Sequence, residues 1–237
     1  MIWSHGALGS REGSSYLGKH LASHGFAALH LHHPGTDSSL VTPGAGKLRL
    51  MLALKKMSKD TDQIELRFGD PRFAVDQLKQ FATSGGGNRM LDTERMGIAG
   101  HSLGSITAMV VAGQKIDTTS QQYAVPEFKG ALVMSPSARG KAPEKQFENM
   151  LMPIFHLTGT DNASPLGVFT PEDRITPFKL INEQDQYLLV LDKASHMSFT
   201  GREIDKDPYL DEHHKVIKMT AVAYWKMVLE QDQEAQA

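Results

Sequence analysis

Ser102 stands in Gly-His-Ser-Leu-Gly at residues 100–104, directly behind the apolar run of "RMGIAG" and ahead of "LGSITAMVVAG". A serine hydroxyl attacks a carbonyl only when a base takes its proton and when the backbone lifts the oxygen clear. A sharp turn from a parallel strand into a helix lifts it, at the cost of strained angles and of space for side chains two residues away, so Gly100 and Gly104 fit the demand. The following helix aims its N-terminus at the same place, which makes the Leu103 amide a donor to an oxyanion. The remaining parts follow in the order serine, acid, histidine. "LTGTDNASP" after the run "MPIFHL" offers Asp161 as the acid, and "LDKASHMSF" after "YLLVL" offers His196 as the base. A second oxyanion donor is expected from the loop "SHGALGS", at the Ala7 amide. Taken singly, each is also an ordinary turn glycine, capping aspartate or loop histidine. Together they fall at the carboxyl ends of expected parallel strands, where open α/β sheets gather ligands.

The elements that must position these residues are legible in the patterning. Short β-rich runs alternate with helical periodicity, the signature of a parallel sheet with crossover helices. "SSYLGKHLASHG" reads as a helix stopped by Gly25, "FAALHLHHPG" as a strand, and "DPRFAVDQLKQFAT" as an amphipathic helix begun by Asp70 and Pro71. "SGGGN" reads as a loop, and "FKGALVMS", "MPIFHLT" and "QYLLVL" as three further strands. "EHHKVIKMTAVAYWKMVLE" is the closing helix and "QDQEAQA" a frayed tail. The expected fold is α/β: a mostly parallel sheet of about six strands with helices on both faces, in one domain spanning residues 1–237. The first apolar run, Met1 to Trp3, is short for a strand, so further strands are expected to have been lost before it.

Composition removes whole classes of function. With 40% apolar residues, 22% charged residues and a formal charge of −2, the chain has no basic excess to draw in nucleic acid. No run of residues is long and apolar enough to be a membrane span, and no signal peptide is evident, so a cytoplasmic location is expected unless a leader was removed. The absence of cysteine excludes disulfides, thiolate metal sites and a cysteine nucleophile. Two histidine groups, His20 with His24 and His30 with His32 and His33, lack a third ligand with a second shell, so no metal site is expected. The chemistry needs no cofactor.

The stretches "SHGALGSREGSSYLGKHLASHGF", "HHPGTDSS", "GHSLGS", "TGTDNASP" and "ASHMSF" together resemble the dienelactone hydrolase-like branch of the α/β-hydrolases, near bacterial polyester hydrolases, cutinases and platelet-activating-factor acetylhydrolases. The resemblance implies the α/β-hydrolase fold, with Ser102 as nucleophile, His196 as base, Asp161 as acid, and Ala7 and Leu103 as oxyanion donors. It also implies a small-molecule or polymeric ester as substrate. The chain departs from that branch in three ways. It has serine where true dienelactone hydrolases use cysteine, it lacks the strands that usually come first, and it carries Asn162 and Ala163 where some relatives place their aspartate. The expected activity is carboxylic ester hydrolysis through an acyl-enzyme. The alternatives are acyl transfer or peptide cleavage on the same residues, or a binding protein that no longer turns over.

Between the second strand and its helix, residues 38–68 are longer than a usual loop and read as a small cap. Leu48, Leu50, Met51, Leu52, Leu54 and Met57 would then line an acyl pocket.

Overall fold

The computed structural model describes residues 1–84, 90–116, 120–138, 143–201 and 207–231. Six parallel strands form one sheet: β1 (Ile2–Ser4), β2 (Leu29–His30), β3 (Met96–His101), β4 (Phe128–Met134), β5 (Ile154–Asp161) and β6 (Gln186–Ser195), in the order β2-β1-β3-β4-β5-β6. The helices are α1 (Ser15–Ala22), α2 (Lys47–Met57), α3 (Thr61–Thr83), α4 (Leu103–Val111), α5 (Thr176–Leu180) and α6 (Leu210–Trp225).

Alternation along the strands sorts the core into two layers, because successive side chains point to opposite faces of a sheet. Ile2, Ile98, Ala131, Val133 and Ile154 pack on one face with Ala74 and Val75 of α3 and with Ala108, Met109 and Val111 of α4. Trp3, Ala99, Leu132, Met134, Phe155 and Leu157 pack on the other with Leu17 and Leu21 of α1 and with Ile217, Ala221 and Trp225 of α6. Each fully buried aliphatic side chain of this kind contributes about 1.5–3 kcal/mol before the entropy of ordering is subtracted. The chain runs from β1 outward to β2 and then returns across β1 to β3, so the direction of winding reverses between β1 and β3. Such a reversal opens a crevice at the carboxyl ends of the two strands.

The elements depart from the patterning in several places. The run from Phe26 contributes only Leu29 and His30 to the sheet, and Phe26 itself is buried against the α1 and α6 layer. The helix expected to begin at Asp70 and Pro71 begins at Thr61, where the Asp60 side chain accepts a hydrogen bond from the Gln63 amide, and it runs through Pro71. The short helix α5 carried no clear periodic signal. Residues 38–68 form a short 3₁₀ turn, α2 and the first third of α3, but they do not wrap all six apolar residues around a pocket. Met57 is buried and Leu54 half-buried against Leu103, Ile106 and Leu8, while Leu48, Leu50, Met51 and Leu52 face solvent. Apart from Ser84, the "SGGGN" loop lies outside the described residues, as does the tail beyond Gln231. Among the described residues no helix is long and apolar enough to cross a membrane.

Candidate active site

The turn at the end of β3 has the backbone that its glycines imply. Ser102 sits at φ 56° and ψ −115°, in the positive-φ region that costs a residue with a side chain of order 1–3 kcal/mol. A methyl group on Gly104 would overlap the carbonyls of Ser4 and His5, and one on Gly100 would overlap the Gly104 carbonyl. The two glycines therefore let α4 begin directly against the end of β1. Leu103 is the first residue of that helix, so its amide lies at the positive end of the α4 dipole beside Ser102.

The Ser102 hydroxyl lies 3.0 Å from His196 Nε2, across 94 residues of sequence. His196 follows directly after β6 and is buried. The His101 ring, on β3, donates from Nε2 to the His196 carbonyl at 2.9 Å and so fixes the loop that carries the imidazole.

At the other ring nitrogen the structure departs from the sequence reading. His196 Nδ1 meets Asn162 Oδ1 at 3.0 Å, and Asp161 does not reach it. Asp161 is the last residue of β5, paired in register with Ser195, and its side chain is exposed, whereas Asn162, one residue on, is fully buried. The chain turns as β5 ends: the pairing register shifts between Gly159 and Asp161 and the Asn162 amide donates to the Gly159 carbonyl at 3.3 Å, which leaves Thr160 and Asp161 exposed and carries Asn162 inward. Two further aspartates, one on the loop after β5 and one at the end of β6, are engaged elsewhere. Asp173 caps the turn at Thr170, and Asp192 accepts from Thr160.

Asn162 is held in one orientation. Its Nδ2 donates to Ser135 Oγ at 2.8 Å and to Thr158 Oγ1 at 3.0 Å, which leaves Oδ1 as the acceptor for the imidazole N–H. Nδ1 then carries the proton and Nε2 presents its lone pair to Ser102, the tautomer that a base requires. Arg174 is also buried here. It donates to the Asn162, Ser135 and Pro136 carbonyls and stands 3.5 Å from His196 Nδ1. A guanidinium cannot donate to a nitrogen that already bears a proton, so this contact acts through charge. Burial first, then the neighbouring His101 and Arg174, hold the His196 pKa well below the ordinary histidine value. These surroundings therefore favour the neutral imidazole over the charged one.

Ala7 lies in the loop directly after β1. A methyl group on Gly6 would lie 3.4 Å from Ser102 Cβ and 3.1 Å from His101 Nδ1, so the loop passes directly beside the hydroxyl. The loop is fastened at both ends. The His5 carbonyl accepts from the Arg67 guanidinium, and the Leu8 amide donates to the Thr36 carbonyl at 2.8 Å. The Gly9 amide donates to the Gly6 carbonyl at 3.0 Å, and neither bond uses the Ala7 amide. Asn162, His101, Arg174 and Arg67 were not singled out from the sequence for these contacts. The one available signal was the Asp-Asn pair at residues 161 and 162, whose inward member is set by the turn that ends β5 rather than by residue type.

The histidine groups have separate roles. His20 and His24 lie against each other on and just beyond α1, and His30 Nδ1 faces the Arg11 carbonyl. His32 pairs with Asp37 at 3.0 Å, and His33 lies between Ser4 and Asp70. Matched against protein-family models and against curated proteins, the chain finds no match in either.

Proposed function

We propose that the chain is a serine hydrolase of the α/β-hydrolase fold that cleaves carboxylic esters through an acyl-enzyme. The observation that carries this reading is the relay Ser102–His196–Asn162, with 3.0 Å at each link, at a strained turn in the crevice between β1 and β3. His196 Nε2 takes the Ser102 proton as Oγ bonds to the ester carbonyl carbon. The carbonyl electron pair moves onto oxygen, where the Ala7 and Leu103 amides donate to it. Collapse of that adduct breaks the bond to the alcohol oxygen, which leaves with the proton from His196. Water then attacks the serine ester by the same steps, with His196 again as base, and restores the hydroxyl.

The test is reaction with a fluorophosphonate probe, followed by turnover of p-nitrophenyl esters from acetate to palmitate. Labelling at Ser102 is expected, with kcat/KM higher for butyrate than for palmitate. Ala7 and Leu103, the two residues expected to flank the oxyanion, pack in one small apolar cluster with Leu8, Leu54 and Met57, which favours an acyl chain of a few methylenes at about 0.8 kcal/mol each. A folded sample that takes no label would instead be a binding protein, and a preference for palmitate would reject the short-chain specificity.

The pH profile follows from the environment of His196. The neutral imidazole is the active form, and a lowered pKa keeps it neutral further into acid. The acid limb of kcat/KM is therefore expected below pH ~6.5, the ordinary histidine value. A limb centred at or above that value, measured with p-nitrophenyl butyrate, would show that burial does not govern this base.

A further inference from the structure

A second Ser–His–Asp relay lies beside the first, wholly apart from Ser102. His33 Nδ1 meets Asp70 Oδ2 at 2.5 Å, and His33 Nε2 meets Ser4 Oγ at 2.9 Å. Ser4 and His33 are completely buried, while the Asp70 carboxylate is 40% exposed. In this relay the serine has no access to substrate. Its hydroxyl accepts from the Arg67 guanidinium at 2.9 Å and passes its own proton toward His33. The direction of donation is therefore continuous, from Arg67 through Ser4 to His33 Nε2, and from His33 Nδ1 to the carboxylate. Two neutral groups connect a buried cation to a half-exposed anion.

Arg67 is 2% exposed, and its other donors reach three separate segments, one of them the loop that passes Ser102. Nε donates to Thr107 Oγ1 on α4 at 3.0 Å, Nη1 to Thr36 Oγ1 at 2.9 Å, and Nη2 to the His5 carbonyl. The Thr36 carbonyl in turn accepts from Leu8. One rigid, planar guanidinium thus holds the residue before Gly6 directly and the residue after Ala7 through Thr36, while it is itself anchored to the helix that begins beside Ser102. A lysine, with donors on one nitrogen, could not span these acceptors.

We propose that Arg67, held by Ser4, His33 and Asp70, is a positioning residue that fixes the His5–Leu8 turn so that the Ala7 amide faces the oxyanion formed at Ser102. This rests on the hydrolase reading for its catalytic consequence, though not for the coupling between Arg67 and the turn. An oxyanion donor contributes only as the charge develops, so misplacing it lowers kcat and leaves KM nearly unchanged, whereas loss of the binding surface would raise KM.

The experiment compares wild type, Arg67→Met and Ser4→Ala on p-nitrophenyl butyrate, and follows the Ala7 amide resonance by NMR in each folded protein. Expected are a fall in kcat of roughly 10²-fold for Arg67→Met and about tenfold for Ser4→Ala, KM within about threefold of wild type, and a displaced Ala7 resonance in both. Unchanged kcat in a folded variant, or a matching rise in KM, overturns the proposal. Should Arg67→Met fail to fold, Ser4→Ala decides, since it removes one buried oxygen without changing the packing. Should wild type neither label with fluorophosphonate nor turn over, the hydrolase reading falls. The Ala7 resonance then decides alone: displacement upholds the positioning of the turn, and an unmoved resonance overturns it.

Discussion

Ser102→Ala is expected to lower kcat by roughly 10⁵ to 10⁶ while the protein stays folded, measured with p-nitrophenyl butyrate. In the proposed mechanism the hydroxyl is the atom that forms the covalent bond, and the base opposite it would have nothing to activate once it is gone. The turn itself should survive, because alanine meets the positive φ at the same modest cost as serine and the glycines on either side are unchanged. The lower end of that range reflects an amide as the third member of the relay, since Asn162 orients the imidazole without offsetting the charge it gains. Retention of more than a few per cent of wild-type activity, with the protein intact, would remove Ser102 from the chemistry.

The second large effect is expected at Asn162. Asn162→Leu takes away the acceptor that keeps the proton on His196 Nδ1, and a base held in the wrong tautomer costs about 10⁴ in kcat. Asp161→Asn should change kcat by less than about threefold, because that side chain faces solvent. Asn162→Asp adds an informative direction. A carboxylate beside Nδ1 stabilises the imidazolium, so the acid limb of kcat/KM should move to higher pH than in wild type. Loss of activity in Asp161→Asn, with Asn162→Leu near wild type, would return the role of acid to Asp161.

The contrast between these neighbours shows what the amino-acid order makes legible. Gly100, Ser102 and Gly104 are recognisable because the turn constrains residue type at fixed offsets, and the structure shows the contacts that enforce it. The strand-helix alternation is recognisable because periods of 2 and 3.6 persist over whole elements. Which of Asp161 and Asn162 turns inward depends on where β5 ends, a matter of one residue, and a preference for carboxylates points to the outward one. The start of α3 was hidden by Pro71, a residue that normally opens a helix but here lies buried inside one. Arg67, Ser4, His33 and Asp70 come from β1, the loop after β2, and α3. Their meeting depends on the winding reversal between β1 and β3, which no local pattern carries.

The buried imidazoles also bind acid to stability. Burial lowers His5 to about 3, with Arg67 adding to the effect, and lowers His33 and His156 to about 4, His33 despite the opposing pull of Asp70. His196 joins them. In the unfolded chain each returns to about 6.5, so between these values unfolding takes up protons that the native state refuses. The sign is therefore fixed: this contribution to stability is complete above pH ~6.5 and drains away as the pH falls toward 4, at about 1.36 kcal/mol per pH unit for each histidine involved. Proton affinity withheld from the core is thus a single reservoir. It extends the neutral form of His196, the base of the proposed mechanism, into acid and at the same time makes the native state less stable as the pH falls.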